Sequence, residues 1–399
     1  MSIDVASVRA DTPGCENVLH LNNAGASLPA SIVLERVKAH LDLEAEIGGY
    51  EAADRTAHEY ERVYAAVARM LGCAPEEVAL VESATRAWDA AFYALAEGFQ
   101  PGDKILTAAN EYVSNYLAFL QVAQRRGAEI VVIPSEANGE ISLPALESAI
   151  DRHGKRIKLI ALTHVPTNGG LVQPAAAVGR IARAHAVPFL LDACQSAGQV
   201  PLNVEDLGCD MLSATGRKYL RAPRGTGFLY VRQSLLERLE PSPLDMRSAV
   251  WVSRDRYEIR QDARRFETWE SSLACRLGLG VAVEYAMAVG LEKIAARVAM
   301  LAEQLRQQLA AIPGVTVRDL PGSGDRPRCG IVTFTHDFRS AQTVFERMRD
   351  LEINVRTTAV GSTRIDMERR GLTEMVRASV HYYNTDNELE RFSRAVELL

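Results

Sequence analysis

The sequence predicts an α/β protein in two parts: a large domain on a mostly parallel seven-stranded sheet and a smaller α+β C-terminal domain. Three observations predict it. Seven apolar runs of strand length recur between residues 78 and 231. Amphipathic stretches of helical period separate most of them. After residue 270 the pattern changes to Ala-, Leu- and Glu-rich helices and then to a few isolated strands.

The elements follow in order. Residues 58–71 read as a helix, because Tyr60, Val63, Tyr64, Val67 and Leu71 share one face. The seven runs are VALV (78–81), KILTA (104–108), EIVVI (129–133), IKLIALTHV (157–165), PFLLDA (188–193), MLSA (211–214) and GFLYV (227–231). Helices are expected at 86–97, 112–126 and 176–186. The runs are nearly continuous instead of alternating, as in strands buried on both faces. Residues 272–312 predict two helices parted near Gly290 and closed by Pro313-Gly314. A strand at VTVRDL, a turn at 321–327, GIVTFT, a helix from Ser340, INVRTT, MVRASV and a last helix from about Asp386 complete the chain. The expected division is an N-terminal segment (1–20), a large domain (21–270) and a small domain (271–399).

Composition narrows the function classes. With 47% apolar and 24% charged residues, the chain is neither disordered, collagen-like nor a coiled-coil rod. A net charge of −6 gives no electrostatic reason to expect nucleic acid or an anionic membrane as partner. The opening MSIDVASVRADTPG has no basic stretch followed by an apolar one, so no signal peptide is expected. The apolar runs are far shorter than the roughly 18–20 residues that span a bilayer. The six cysteines form no CxxC and the eight histidines are scattered. Reduced thiols, no metal site and a cytoplasmic location are therefore expected.

Three constellations carry chemistry. In CDMLSATGRKYLRAPRGTGFLYV, which begins at Cys209, an apolar strand ends in small hydroxyl residues just before Lys218. An amine at a strand end of an α/β sheet faces the ligand crevice and can form a Schiff base. Asp192 ends another buried strand, where an unpaired charge is costly unless a cationic group meets it. A protonated pyridine nitrogen is such a group, and Gln195 is near enough to reach the same ring. Alone, Asp192 also reads as a helix cap, the less favoured of the two. Ser83-Ala84-Thr85-Arg86 opens a helix after a strand, where free N–H groups can hold a phosphate. Alone, it is a common N-cap.

Together these residues resemble the class V aminotransferase superfamily of fold-type-I pyridoxal-phosphate enzymes, with cysteine desulfurases and selenocysteine lyases as the familiar reference branch. HLNNAGASLP (20–29), KILTAANEYVSN (104–115), THVPTNGG (163–170), RRFETWESS (264–272) and VRASVHYYNTDNELERF (376–392) extend the resemblance over nearly the whole chain. The resemblance implies pyridoxal 5′-phosphate as cofactor. It implies that Lys218 forms the internal aldimine and later shuttles a proton, and that Asp192 keeps the pyridine nitrogen protonated. Gln195 would bind the ring oxygen. Ala84, Thr85 and Thr215 would hold the phosphate, with Arg217 facing it where many relatives have a histidine. Tyr112 stands for the histidine that stacks on the ring. Arg377 aligns with the arginine that grips a substrate carboxylate, and Asn23, Ala24, Thr167, Asn168 and Arg356 are further substrate-site candidates. The 264–272 segment would reach into a neighbouring subunit, which implies a homodimer.

Departures from the desulfurases shape the expected reaction. Their catalytic cysteine follows the INVRT-like strand, where this chain reads Arg356-Thr-Thr-Ala-Val-Gly361-Ser-Thr. Cys329, upstream in sequence, reads as a structural thiol. Arg86 replaces an acidic residue common in that branch. GGYEAA (48–53) is reminiscent of the C–S lyase that releases ergothioneine from hercynylcysteine sulfoxide. The resemblance is therefore nearest to C–S lyase or isopenicillin N epimerase-like branches. The expected function is α,β-elimination at a C–S bond of an amino acid, through the Lys218 aldimine and an α-carbanion. Transamination and epimerisation are the alternatives. The retained Lys218, Asp192 and Arg377 disfavour a non-catalytic homologue.

Overall fold

A computed structural model describes residues 3–324 and 326–399. Among the described residues fifteen strands fall into four sets. Strand β1 (Leu19–His20) belongs to the first set, a two-residue ladder. The large sheet follows in the chain: β2 (Val78–Val81), β3 (Lys104–Ala108), β4 (Glu129–Ile133), β5 (Ile157–Thr163), β6 (Phe189–Asp192), β7 (Met211–Thr215) and β8 (Gly227–Val231). Next come β9 (Ala249–Ser253) and β10 (Arg256–Ile259), an isolated hairpin. Strands β11 (Val315–Val317), β12 (Ile331–His336), β14 (Arg356–Ala359) and β15 (Glu374–Ser379) form a four-stranded antiparallel sheet. Strand β13 (Ile353–Asn354) pairs with β1 and so joins the N-terminal segment to the C-terminal part.

The large sheet has the order β2-β8-β7-β6-β5-β3-β4, all parallel except β8, which runs against both neighbours. Its apolar runs are continuous because both faces are covered. Leu80, Leu106, Ile160, Leu162, Leu191, Leu212 and Phe228 enter one core. The alternate residues Ala79, Val81, Ile105, Leu159, Ala161, Leu190 and Leu229 enter a second core on the other face. Trp88 and Phe92 of the helix Ala84–Ala96 fill that second core. The helices Gly49–Leu71 and Leu273–Val289 pack together over the first.

Several boundaries differ from the sequence-based expectation. The expected helix at 58–71 begins at Gly49, and its early residues are mostly polar, so the apolar period is silent there. The expected strand at 157–165 stops at Thr163, where the chain turns into the loop that lines the site. The helix expected from residue 86 begins at Ala84, because Ser83 accepts the Arg86 N–H at 3.2 Å and caps it. The helix Ser31–Ile47 buries only Val33 and His40 fully and left no clear period to find. The helices Leu273–Val289 and Leu291–Ala310 meet at 78° at Gly290, as expected, and among the described residues no single helix is long and apolar enough to cross a membrane.

One glycine sets the backbone around the site. Gly198 has φ +93°, and a Cβ there would stand 2.5 Å from the Tyr219 carbonyl carbon and 2.6 Å from the Leu220 nitrogen. The turn after Asp192 is thereby pressed against the turn that carries Lys218. Gly198→Ala is expected to destabilise the protein by about 1–3 kcal/mol through overpacking and a disfavoured φ. Denaturant titration checks this, and an unchanged midpoint would show that the Tyr219 backbone yields freely.

Candidate active site

The carboxyl ends of the parallel strands supply the site, as expected for an open α/β sheet. Thr163 ends β5, Asp192 ends β6 and Thr215 ends β7. One cavity is lined by Ser83, Ala84, Thr85 and Tyr112 from two helix starts, by Asn115, Thr163, Val165 and Thr167, and by Asp192, Cys194, Gln195, Thr215, Arg217 and Lys218. All eight residues expected to face a cofactor therefore meet in one place. A wider cleft of about 1450 Å³ lies over the amino ends of the strands, lined by Phe99, Ile157, Pro188 and the 238–244 loop. Size does not identify the site. The converging amine, carboxylate and guanidinium do.

Asp192 is buried, and its partners are all donors. Asn115 Nδ2 donates to Oδ2 at 2.9 Å and the Cys194 N–H donates to Oδ1 at 2.8 Å. Burial pushes the Asp192 pKa up, while Asn115, the Cys194 N–H and the Lys218 charge oppose the rise. The Cys194 bond closes a turn, with no helix there for Asp192 to cap, and Asp192 lines the cavity. Lys218 is buried in the bend after β7, and its Nζ donates to Cys194 Sγ at 3.1 Å. Gln195 Nε2 donates to the Ala24 carbonyl at 3.2 Å, and its buried Oε1 has no partner. Among the described residues, Lys218, Arg217, Arg356 and Arg377 have no carboxylate within 4 Å.

Arg377 is the most exposed to this imbalance. It is buried, its Nη1 donates to Thr167 Oγ1 at 2.7 Å and to the Thr167 carbonyl at 3.3 Å, and its Nε has no partner. Burial, with Arg217 and Arg356 nearby, lowers its pKa. Arg356 pairs with Arg377 across β14 and β15, and its exposed guanidinium lies 5.4 Å from the centre of the Phe345 ring. Of the six expected substrate residues only Thr167 lines the cavity, while Asn23, Ala24, Asn168, Arg356 and Arg377 do not. Asn23 donates to the Ser379 carbonyl at 2.7 Å and accepts from Tyr383 Oη at 2.5 Å. Asn168 donates to Thr363 Oγ1 at 2.7 Å and accepts from Thr358 Oγ1 at 2.5 Å. Both amides are spent on the protein, so they position loops. Ala24 contributes its carbonyl, which holds Gln195.

The turn that carries Lys218 is fixed from both chain ends. Arg221, at φ +61°, donates through Nε to the Leu28 carbonyl at 2.8 Å, through Nη1 to Tyr382 Oη at 2.6 Å and through Nη2 to Thr12 Oγ1 at 2.5 Å. Its guanidinium also stacks 4.9 Å from the Tyr383 ring centre.

The chain matches the aminotransferase class-V family over residues 18–392. The chain belongs to that family. This class V enzyme is 25% identical over 398 residues to a probable cysteine desulfurase of Pyrococcus abyssi, covering 98% of this chain and 96% of that protein. An apo cysteine desulfurase structure from Thermococcus onnurineus NA1 superposes with a TM-score of 0.91 at 27% identity, covering 100% of this chain and 98% of that one. A cystine C–S lyase solved with its reaction product cysteine persulfide superposes at 0.84 and 23% identity, over 97% and 99% of the two chains. A variant of that lyase with glycine covalently linked to its pyridoxal phosphate superposes at 0.86 and 23%, over 98% and 99%. The class V enzyme described here has the fold-type-I architecture and is pyridoxal-phosphate dependent.

Three polar residues of the cavity wall escaped the sequence reading, Asn115, Thr163 and Cys194, as did Glu111, which accepts from Asn115 and Thr163 behind the wall. Thr163 had the same signal as Asp192, a polar residue ending an apolar run. Cys194 lies between Asp192 and Gln195 in DACQS, a position adjacent to two candidates.

The unpaired state of Arg377 generates a prediction. Because no ion pair is lost, Arg377→Ala is expected to leave the melting temperature nearly unchanged. Loss of a charged hydrogen-bond donor costs about 1.5–3 kcal/mol of substrate binding, or roughly 10- to 100-fold in KM. A large fall in melting temperature with unchanged KM would make Arg377 a structural residue.

Proposed function

We propose that this enzyme cleaves a C–S bond by α,β-elimination from an amino acid with a free α-carboxylate. The single observation that carries the reading is what the substrate end of the site holds. Arg377 offers an uncompensated guanidinium beside Thr167, while the segment after β14, Val360-Gly361-Ser362-Thr363, contains no thiol. Cys329 is buried between Ala24, Val172, Tyr219 and Ile331, and burial pushes its thiol up to about 12. Cys194 is held beneath Lys218, and burial raises its pKa as well.

The residues fit pyridoxal phosphate. Asp192 is an acceptor for a protonated ring nitrogen. The orphaned Gln195 Oε1 marks a polar side chain awaiting a ligand. The first-turn N–H groups of Ala84 and Thr85 are those a helix leaves unpaired, and with Thr215 and Arg217 they would hold the phosphate. A Cβ at Gly227 would stand 2.8 Å from the Ser83 carbonyl carbon, so this glycine keeps the phosphate end compact. Tyr112 would cover the ring. When bound, the cofactor supplies an electron sink for the carbon that bears the substrate amine.

The chain's own groups do the rest. Arg377 binds the carboxylate and so orients the Cα–H bond toward Lys218. Arg356 adds positive charge beside it. Lys218 Nζ takes the α-proton. The electron pair left on Cα forms the Cα=Cβ bond as the sulfur leaves with the C–S electrons. The aminoacrylate product hydrolyses to pyruvate and ammonia. The proposed enzyme is a cytoplasmic homodimer. Six free cysteines support a reducing compartment. The exposed Val250, Trp251 and Tyr257 of the β9–β10 hairpin and the half-exposed Trp269 support a self-association surface around the 264–272 segment.

Two predictions follow from this mechanism. Asp192→Asn keeps the shape but removes the charge opposite the ring nitrogen. Turnover is expected to fall on the order of 10²-fold or more, about 3 kcal/mol of transition-state stabilisation, with cofactor binding weakened less. Steady-state kinetics and cofactor titration check it, and unchanged turnover would leave Asp192 as a structural residue. The second prediction addresses the reaction. With cysteine S-conjugates and sulfoxides, pyruvate is expected to form continuously without an added keto acid. One turnover followed by a stall, relieved by a keto acid, would establish transamination, and loss of substrate chirality alone would establish epimerisation. No cysteine is expected to carry a persulfide after incubation with cysteine, and a stoichiometric persulfide seen by mass spectrometry would establish a desulfurase.

A further inference from the structure

Glu111 is the most deeply placed carboxylate near the site, and the catalytic steps above do not use it. It is 3% exposed. Four groups donate to it. Thr107 Oγ1 donates to Oε2 at 2.9 Å, and Asn115 Nδ2 and the Tyr112 N–H donate to Oε1 at 2.9 Å each. The Thr163 hydroxyl makes a short contact with the same oxygen. Among the described residues no cation lies within 4 Å of it. A carboxylate is rarely buried in this way without a task.

The position of Asn115 suggests the task. Its Nδ2 donates to Glu111 Oε1 and to Asp192 Oδ2, both at 2.9 Å. One NH2 group thus spends both hydrogens on two carboxylates, and only this orientation of the amide can face two acceptors. We propose that Glu111 is a positioning residue for the cofactor's ring nitrogen: it locks the Asn115 amide so that Asp192 meets the ring as an ionised acceptor.

The like charge of Glu111 by itself disfavours ionisation of Asp192, and the orientation of the amide it holds outweighs that repulsion. With Glu111 neutralised, Asn115 is free to turn its Oδ1 toward Asp192. An oxygen facing the carboxylate favours a proton on Asp192, and a protonated Asp192 no longer holds one on the ring nitrogen. Tyr112, whose ring lines the cavity, is carried along. Its N–H donates to Glu111 Oε1 at 2.9 Å and to Thr163 Oγ1 at 3.3 Å. Glu111 therefore also sets the start of the helix Val113–Arg126 that presents both Tyr112 and Asn115. The inference rests on the cofactor assignment and is independent of whether elimination or transamination follows.

The test is spectroscopic. Wild type and Glu111→Gln are reconstituted with pyridoxal phosphate carrying ¹⁵N in the ring, and the ring-nitrogen chemical shift of each holoenzyme is measured at one pH. Wild type is expected at the protonated position. Glu111→Gln and Asn115→Ala are each expected to move toward the free-base position, and the double variant no further than Asn115→Ala alone. If Glu111→Gln does not fold, Glu111→Asp, which keeps the charge but withdraws it from Asn115, is expected to show the same displacement. A wild-type shift in a folded Glu111 variant overturns the proposal, whatever its melting temperature, because a merely structural glutamate moves stability alone. Additive displacements in the double variant also overturn it, since the effect would then bypass Asn115. An unprotonated ring in wild type would instead refute the role of Asp192.

Discussion

Asp192 is a buried acceptor, and among the described residues no cationic side chain lies within 4 Å of it. Everything around it is arranged to keep an anion where apolar strands would otherwise exclude one. An unpaired charge in such a place is destabilising by several kcal/mol. The loss is reduced by an amide from one helix and an N–H from the following turn. Three elements must therefore arrive together: the end of β6, the start of the helix Val113–Arg126, and the turn pressed by Gly198 against the lysine bend. The sheet supplies the register that makes this possible. Thr163 pairs with Asp192, and Asp192 with Ser213, across parallel neighbours.

The opposite requirement holds at the substrate side. Arg217, Arg356 and Arg377 stand close enough to affect one another electrostatically, and among the described residues none has a carboxylate within 4 Å. A folded protein keeps such a cluster only at a cost in self-repulsion. A concave site with excess positive charge concentrates anions, and the proposed reading needs two, a phosphate and a carboxylate. In that reading the negative centre at Asp192 and the positive rim divide the site into an end for a cationic ring nitrogen and ends for two anions.

Much of this was legible in the sequence. The seven strands could be read because residues on both faces are buried, so that Leu159 to Leu162 all lie in apolar surroundings. The strand-end residues Asp192 and Thr215 could be read because polar groups interrupt those runs. The Asn115 link was hidden, since Asn115 lies 77 positions from Asp192 and nothing local marks the pair. Asn23 and Asn168 were read as substrate ligands, yet the hydroxyls of Tyr383, Thr358 and Thr363 claim them from distant parts of the chain. The helix Ser31–Ile47 was silent because its buried face is narrow.

Arg221 has a consequence for the order in which the molecule is made. Its guanidinium is held by Thr12 and Leu28 near one end of the chain and by Tyr382 near the other. A ribosome releases these anchors in sequence, so the large sheet can form while the bend that carries Lys218 still lacks its last support. A nascent chain ending before Tyr382 already holds Asp192, Lys218 and Arg377 but lacks one of the partners that fix Arg221. The bend that carries Lys218 gains its Tyr382 support only after the residues of the large sheet have been made.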